Sequence, residues 1–226
     1  MGRARDISKV FSTGTALATD TEVSAFNYLT QSSASTVYQT KATAGLTLLT
    51  PGSITNTGGT ASIGANGTVT FSGVSSQSIN NVFSTTYDSY FLTWTIDGST
   101  TAQSLTMRVR VSGSDNSSAD YNSAAWGGNS EVASPIIFGN TVGGTSFPIG
   151  AVKSGSEVNS GQMFIHNPFI STIRTTINAG YSFADTYYRN YQMASMMSVT
   201  TSYTGVTFIT ASGNISGTVR IYGINK

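Results

Sequence analysis

The stretch YFLTWTIDGSTTAQSLTMRVRVSG, residues 90–113, decides the fold because two of its segments alternate between apolar and polar side chains. Successive side chains of a β-strand point to opposite faces of a sheet, so this alternation predicts two strands with one buried and one solvated face. Asp97-Gly98 is a turn signal between them, and Arg108 and Arg110 are predicted to face solvent. The residues predicted to face the core are Tyr90, Leu92, Trp94, Ile96, Leu105, Met107, Val109 and Val111.

The remainder of residues 45–226 follows the same strand-and-turn pattern. Asn66-Gly67 is a strong hairpin signal, and Ser212-Gly213-Asn214 separates two further alternating segments. The stretch from Ser112 to Asn129 is rich in residues that bond their own backbone, and it predicts a loop. Further strands are predicted in GLTLLTP, PIIFGN, SFPIG, QMFIHNPF, RTTINAGYSF, GVTFITA and NISGTVRIYGI. Many short strands between turns predict an all-β fold, an antiparallel sandwich of the jelly-roll type.

Residues 1–44 do not share this pattern. Segments 4–12 and 20–31 have short helical spacings of apolar residues, but helices of this length are not stable alone in water. Residues 1–9 carry three cations and one anion, a net charge of +2, whereas the other residues carry eight cations and nine anions, a net charge of −1. We therefore expect residues 1–44 to form an extended, partly helical segment that anchors and joins chains, followed by a β domain at 45–226.

The composition limits the classes of function. Only 9% of residues are charged and the net charge is +1, so the chain has no field suited to nucleic acid. The chain has no cysteine, which excludes disulfides and thiolate chemistry. No apolar run approaches the length of a membrane-spanning helix, so we expect no membrane insertion.

Several segments together resemble a known group of proteins. RARDISKVFSTGTALATDTEVSAFNYLTQSSASTVYQTKA is similar to the N-terminal segments of tailed-bacteriophage structural and tail-fibre proteins, and SSASTVYQTKA resembles the thin shaft of trimeric fibres. NGTVTFSGVSSQSINNVFSTTYDSYFLTWTI, RVRVSGSDNSSADYN, HNPF and FITASGNISGTVRIYG resemble the β domain of phage virion proteins, notably those of cyanophages. The resemblance implies a homotrimer, made in the bacterial cytoplasm and docked on the virion with its sandwich facing outward.

Three functions are compatible with this resemblance. The first is a short tail fibre or appendage, without enzymatic activity, that can bind the host surface. The second is a capsid head decoration or knob protein that stabilises or adorns the capsid. The third, a minor alternative, is a polysaccharide-degrading tailspike, which would need two carboxylates that meet across a sugar. No spacing of carboxylates in the sequence selects such a pair.

The basic head is the candidate virion anchor. Its three cations alone would give nucleic acid only a weak, salt-sensitive contact. We expect residues 1–20 to dock instead on another virion protein, with cations in an acidic groove and apolar side chains as a plug. The anchor residues are Arg3, Arg5, Ile7, Lys9, Val10 and Phe11.

An aromatic cluster in GYSFADTYYRNYQ is the candidate contact surface. Aromatic side chains with nearby polar groups can bind host glycans, but tyrosine is equally typical of subunit interfaces and cores, which we favour. Trp126, in the predicted loop AAWGGN, is a second candidate. The candidate glycan or subunit contacts are Trp126, Tyr181, Tyr187, Tyr188, Arg189 and Tyr191.

No residue pattern indicates catalysis, a metal or a cofactor. His166 is the only histidine, and no nucleophile or orienting acid is identified for it, so we expect a structural role. Asp115, Asn116 and Asp120 could offer oxygen ligands to calcium, but their order does not match an EF-hand, and Asx turns are favoured. We therefore expect no enzymatic activity, no cofactor and no metal site.

Overall fold

The described part of the chain forms two antiparallel β-sheets. A computed structural model describes residues 45–99, 103–130, 132–154, 158–184 and 187–225, with the backbone alone for 132–139. These residues form strands and turns, and none lies in a helix that could cross a membrane. The strands are β1 (Leu46–Leu48), β2 (Ser53–Thr57), β3 (Thr60–Ile63), β4 (Val69–Val74), β5 (Ser76–Asn80), β6 (Ser89–Gly98), β7 (Gln103–Val111), β8 (Ser114–Asp115), β9 (Tyr121–Asn129), β10 (Val132–Gly144), β11 (Phe147–Val152), β12 (Asn159–His166), β13 (Thr176–Ala184), β14 (Tyr188–Met197), β15 (Gly205–Thr210) and β16 (Ile215–Ile224).

The two sheets differ in width. The larger has ten strands in the order β10-β9-β14-β13-β12-β6-β16-β4-β3, with β1 also paired to β16. The smaller has six strands in the order β11-β7-β15-β5-β2, with β8 also paired to β7. Consecutive strands such as β4 and β5, β6 and β7, or β15 and β16 lie in opposite sheets. The chain therefore crosses repeatedly between the two layers.

The sheets pack face to face around an aromatic-rich core. Trp94 of the larger sheet contacts Phe208 of the smaller one, with 6.2 Å between ring centroids. Tyr121 and Phe147 make a second contact between the sheets, edge to face at 4.6 Å. Asn159 is buried between the layers, accepting a hydrogen bond from Trp94 Nε1 at 2.7 Å and donating to the Ile149 and Ala151 carbonyls. The core is thus joined by both apolar and polar contacts.

One long hairpin belongs to both sheets. Strands β2 and β5 pair in the smaller sheet, while β3 and β4, which adjoin them in sequence, pair in the larger one. The hairpin bends at Gly58 and Gly59, which both have positive φ, and the Ser75 amide donates to the Thr57 carbonyl at 2.8 Å across the bend. A side chain at Gly59 would meet the backbone of Gly73 and Ser72, so this corner requires glycine.

The alternating segments fold as their patterns predict. Tyr90, Leu92, Trp94 and Ile96 on β6 are buried, as are Leu105, Met107 and Val109 on β7. On β16, Ile215, Val219 and Ile221 are buried in the same way. The all-β, antiparallel prediction is therefore confirmed for the described residues.

Three predictions about the central region are wrong. The loop predicted over Ser112–Asn129 contains β9, a strand between β10 and β14, because small residues at its inward positions conceal the alternation. Asp97-Gly98 is the end of β6 rather than the turn after it. Arg110 points outward from β7 but is only 7% exposed, because partners from neighbouring strands surround it. The predicted anchor segment, residues 1–44, lies outside the described residues.

Candidate binding site on the outer face of the larger sheet

The outer face of the larger sheet is broad and uncharged in its middle. Adjacent strands β6, β12, β13, β14 and β9 pair in register, so residues opposite one another share this face. The outward positions of β9, β12, β13 and β14 hold hydroxyl, amide, small and aromatic residues and Met196, without aspartate, glutamate, lysine or arginine. We call these positions the outer face. It resembles neither a metal site nor an ionic docking site.

A groove crosses the outer face at a glycine. Gln162, Gly180, Gln192 and Trp126 lie opposite one another on β12, β13, β14 and β9. Gly180 has no side chain, so a gap separates the two glutamines. Its backbone is not in the left-handed region, and the atoms nearest to a Cβ there would be those of the Gln192 amide, with Nε2 at 3.0 Å. The glycine is therefore important for the space it leaves and not for its backbone conformation.

Two depressions meet at this glycine. One, of about 390 Å³, has a hydroxyl and amide lining. The other, of about 190 Å³, is bounded by Trp126, Phe164 and Asn178. Both share Gln162, Gly180 and Gln192, so they adjoin one another, and together they are named here the Gly180 groove. The first depression alone lies in the size range of small-molecule sites.

Polar groups in the Gly180 groove are available to a ligand. In the described part of the chain, the side-chain amides of Gln162, Asn178 and Gln192 make no hydrogen bond to protein, whereas Asn190 Nδ2 donates to Ser182 Oγ at 3.0 Å. Each amide offers two donor hydrogens and an acceptor oxygen. The groove thus presents neutral donors and acceptors beside an aromatic wall.

An aromatic patch borders the Gly180 groove. Phe91 lies between Phe164 and Tyr222, with centroid distances of 4.9 Å and 6.0 Å. His166 stacks beside Phe164 at 6.3 Å, and its Nδ1 makes a 2.9 Å hydrogen bond with Ser89 Oγ. These contacts hold the imidazole in the sheet face, in keeping with a structural role. A Ser-His hydrolase would also need an orienting acid and an oxyanion site.

The predicted aromatic cluster is divided between the core and the surface. Tyr181 and Tyr191 are 2% and 1% exposed and point inward, so they do not contribute to the outer face. Burial raises the pKa of the Tyr181 hydroxyl, with a further contribution from Tyr191. Arg189 lies over the Phe183 ring at 5.9 Å, Tyr187 is half-buried, and Tyr188 is 78% exposed.

Trp126 is the predicted contact that lies on the groove. It belongs to strand β9 and not to a loop, and it is 51% exposed beside Gln192. No sequence pattern singles out the other groove residues, which are Gln162, Phe164, Asn178, Gly180 and Gln192. The sequence does contain amide side chains at outward positions of three adjacent strands, β12, β13 and β14. Their closeness in space can be recognised only when the strand register is known.

The candidate calcium loop is occupied by protein contacts. Asp115 pairs with Arg110 and accepts a hydrogen bond from Thr207 Oγ1 at 2.6 Å. Asn116 Oδ1 accepts from the Ser118 amide at 3.0 Å, which is an Asx turn. Among the described residues, no group of three or more histidine, aspartate or glutamate side chains is placed to hold a metal. The predicted anchor residues Arg3 to Phe11 lie outside the described residues.

Comparison with protein-family models, with curated proteins and with solved structures finds no match to this chain.

Proposed function

We propose that this chain is a non-enzymatic phage virion structural protein, a trimeric short tail fibre or appendage that displays its sandwich for contact with a host surface. The observation that carries the proposal is the outer face, where four neighbouring strands present neutral polar and aromatic residues without formal charge. Such a face suits adhesion to a surface better than catalysis, which needs groups with matched proton affinities.

The strand order supports the proposal that the sandwich is a jelly roll. Strands β4-β16-β6-β12 lie side by side in the larger sheet, and β5-β15-β7-β11 lie side by side in the smaller one. Each strand in the first set adjoins in sequence a member of the second set. Two such four-stranded sets with consecutive strands in opposite layers describe the jelly roll, which occurs in viral capsid proteins and lectins. The remaining strands widen the larger sheet into the outer face.

The N-terminal residues supply the anchoring part of the proposal. Arg3, Arg5 and Lys9 would contact an acidic groove on a particle protein, while Ile7, Val10 and Phe11 fill an apolar pocket beside it. Residues further along, to about Lys41, would join three copies of the chain. Deletion of residues 1–19 is expected to leave a soluble β domain that no longer enters virions. Normal incorporation of the truncated protein would contradict the anchor.

Purified virions provide the decisive test. Mass spectrometry should detect the chain in them, and immunogold microscopy should place it at the tail with few copies per particle. Many copies over the capsid would favour a head decoration protein instead. Absence of the chain from purified particles would contradict both. Release of sugar fragments from host envelope by the purified protein would contradict a non-enzymatic role.

A further inference from the structure

We propose that the Gly180 groove binds a neutral oligosaccharide, with Trp126 as the stacking platform and the amides of Gln162, Asn178 and Gln192 as hydrogen-bonding groups. This inference depends on the proposed function in one respect, because it takes the outer face to be the side that contacts a host surface. The site itself follows from the geometry of four strands and can be tested on the isolated protein.

The first support is the charge of the groove. Its lining holds hydroxyl and amide groups, and the nearest charged side chain in the same cross-strand row is Arg220, which lies beyond Thr93. An anionic ligand such as a phosphate or a uronate would lose its hydration without gaining a paired charge in the lining. A ligand whose polar groups are hydroxyls incurs no such cost.

The second support is the set of unpaired amides. A sugar hydroxyl both donates and accepts, and so does a side-chain amide, so adjacent hydroxyls can be matched by one glutamine or asparagine. Gln162 and Gln192 flank Gly180 from either side, and Asn178 extends the row by one outward position on β13. The three amides therefore surround the floor of the groove.

The third support is the exposed indole at the end of the row. Trp126 follows Gln192 in cross-strand order and is 51% exposed, so its indole is accessible to a ligand in the groove. The electron-rich face of an indole attracts the polarised C–H groups on the apolar side of a pyranose ring. An amide floor with one aromatic wall provides both kinds of contact that a sugar can make.

A second copy of the chain is the competing occupant. Interface cores are apolar and close-packed, whereas the Gly180 groove is a depression in which three amides, those of Gln162, Asn178 and Gln192, have no partner among the described residues. The aromatic patch of Phe91 and Tyr222, which meets the groove at Phe164, is better suited to a subunit contact. The groove therefore favours a soluble polar ligand, and an effect of groove variants on oligomeric state becomes an outcome of the test.

Tryptophan fluorescence of the full-length protein provides the assay. The chain has two tryptophans, and Trp94 is buried and hydrogen-bonded while Trp126 is exposed. Iodide should therefore quench Trp126 selectively. We would add neutral di- to tetrasaccharides of glucose, galactose, mannose and rhamnose, with sialylated and uronate-containing sugars as the charged set, and confirm positive results by calorimetry.

We expect neutral sugars to protect Trp126 from quenching by iodide and charged sugars to give no protection. Gly180→Ile should abolish binding, because its side chain would occupy the floor of the groove, where even a Cβ would lie 3.0 Å from Gln192 Nε2. Trp126→Ala should weaken binding at least about tenfold in calorimetry, as the loss of a central aromatic contact does. Thr70→Ile, on the same sheet face but on remote β4, and Ile173→Ala, in an exposed loop, should bind as the parent does.

The inference is overturned if no neutral sugar protects Trp126, or if Gly180→Ile binds sugar with unchanged affinity. It is also overturned if Gly180→Ile changes only the sedimentation behaviour, because the groove would then be a subunit interface. Circular dichroism establishes that each variant is folded. Saccharide binding by a protein that is absent from virions would leave this inference standing and contradict the proposed function.

Discussion

The outer faces of the two sheets use polar residues in opposite ways. On the smaller sheet, Arg110 lies opposite Gly205 and reaches from β7 to β5, donating to Asn80 Oδ1 at 2.7 Å and Ser78 Oγ at 2.8 Å. The same guanidinium pairs with Asp115, which the turn into β8 carries back over the strand. On the larger sheet, a strand glycine also removes a side chain from a cross-strand row, but the space at Gly180 is bordered by two exposed glutamines and holds no buried ion pair.

The comparison shows that the polar residues around Arg110 stabilise the fold, whereas those around Gly180 are accessible to a ligand. A buried donor or acceptor is costly unless it is paired, and those around Arg110 are paired by one another. The amides around Gly180 face solvent, so water satisfies them and a ligand can replace that water. Substitutions around Arg110 should therefore lower stability, whereas substitutions of the amides around Gly180 should leave stability unchanged.

Arg110→Ala should have the largest effect. The substitution leaves Asp115, Asn80 and Ser78 without their shared partner. Breaking a fully buried ion pair costs about 3–5 kcal/mol of unfolding free energy, and we expect a loss at the lower end of this range because Asp115 is 25% exposed. Urea denaturation monitored by circular dichroism measures the loss. Arg108→Ala, which removes one hydrogen bond to the Thr145 carbonyl, is the matched control and should cost about 1 kcal/mol. Equal losses for the two variants would contradict the structural role of the Arg110 cluster.

Asn159→Ala should have the next largest effect. It removes the acceptor of the Trp94 indole N–H and the amide that donates to the Ile149 and Ala151 carbonyls, at a cost of about 2–3 kcal/mol. The same denaturation experiment measures it, and the emission of Trp94 should shift as its hydrogen bond is lost. A loss below about 1 kcal/mol would show that water replaces the amide.

Two buried tyrosine hydroxyls in the core, one paired and one unpaired among the described residues, should differ in their effect on stability. The variants are Tyr121→Phe and Tyr181→Phe. The Tyr121 hydroxyl accepts from the Val109 amide at 3.1 Å and donates to the Asn116 carbonyl at 2.6 Å. Its removal should cost about 1–2 kcal/mol. The Tyr181 hydroxyl is buried without a partner among the described residues, so its removal should be neutral or stabilising. Comparable losses in the two variants would contradict the assignment of partners.

Gln162→Ala and Gln192→Ala should have the smallest effect on stability. Both side chains are exposed, so unfolding free energies should stay within about 0.5 kcal/mol of the parent. Thermal unfolding monitored by circular dichroism is sufficient for this comparison. A loss above about 1 kcal/mol in either variant would mean that these amides stabilise the sheet, and the contrast between the two faces would disappear.

The sequence predicts strands well where inward residues are large and apolar, as in β6, β7 and β16. It does not predict β9, because Ser123 and Ala125 at inward positions give no apolar alternation. The sequence also predicts that Arg110 faces solvent. Alternation gives the direction of a side chain, but it does not show that the turn into β8 covers this one with Asp115. Burial of an arginine depends on residues distant in sequence, such as Asn80 and Thr207.

The candidate site is harder to predict than the strands. Trp126 can be singled out as an aromatic residue among small ones, but its neighbours in the Gly180 groove come from three other strands. Their meeting depends on register, since a shift of one residue would turn every amide inward. The many tyrosines of residues 181–191 suggest a single surface. Strand alternation instead places some of these tyrosines in the core and others on the exterior.

The position of β16 has a kinetic consequence. Although it is the last strand of the sandwich, it lies inside the larger sheet, between β4 and β6, with Val219 opposite both Val69 and Trp94. Pairings between such distant residues raise the contact order, and proteins of this kind fold in milliseconds to seconds. On the ribosome, β4 and β6 must therefore wait with unpaired edges until residues 215–224 emerge, an interval in which chaperones or neighbouring copies can reach them.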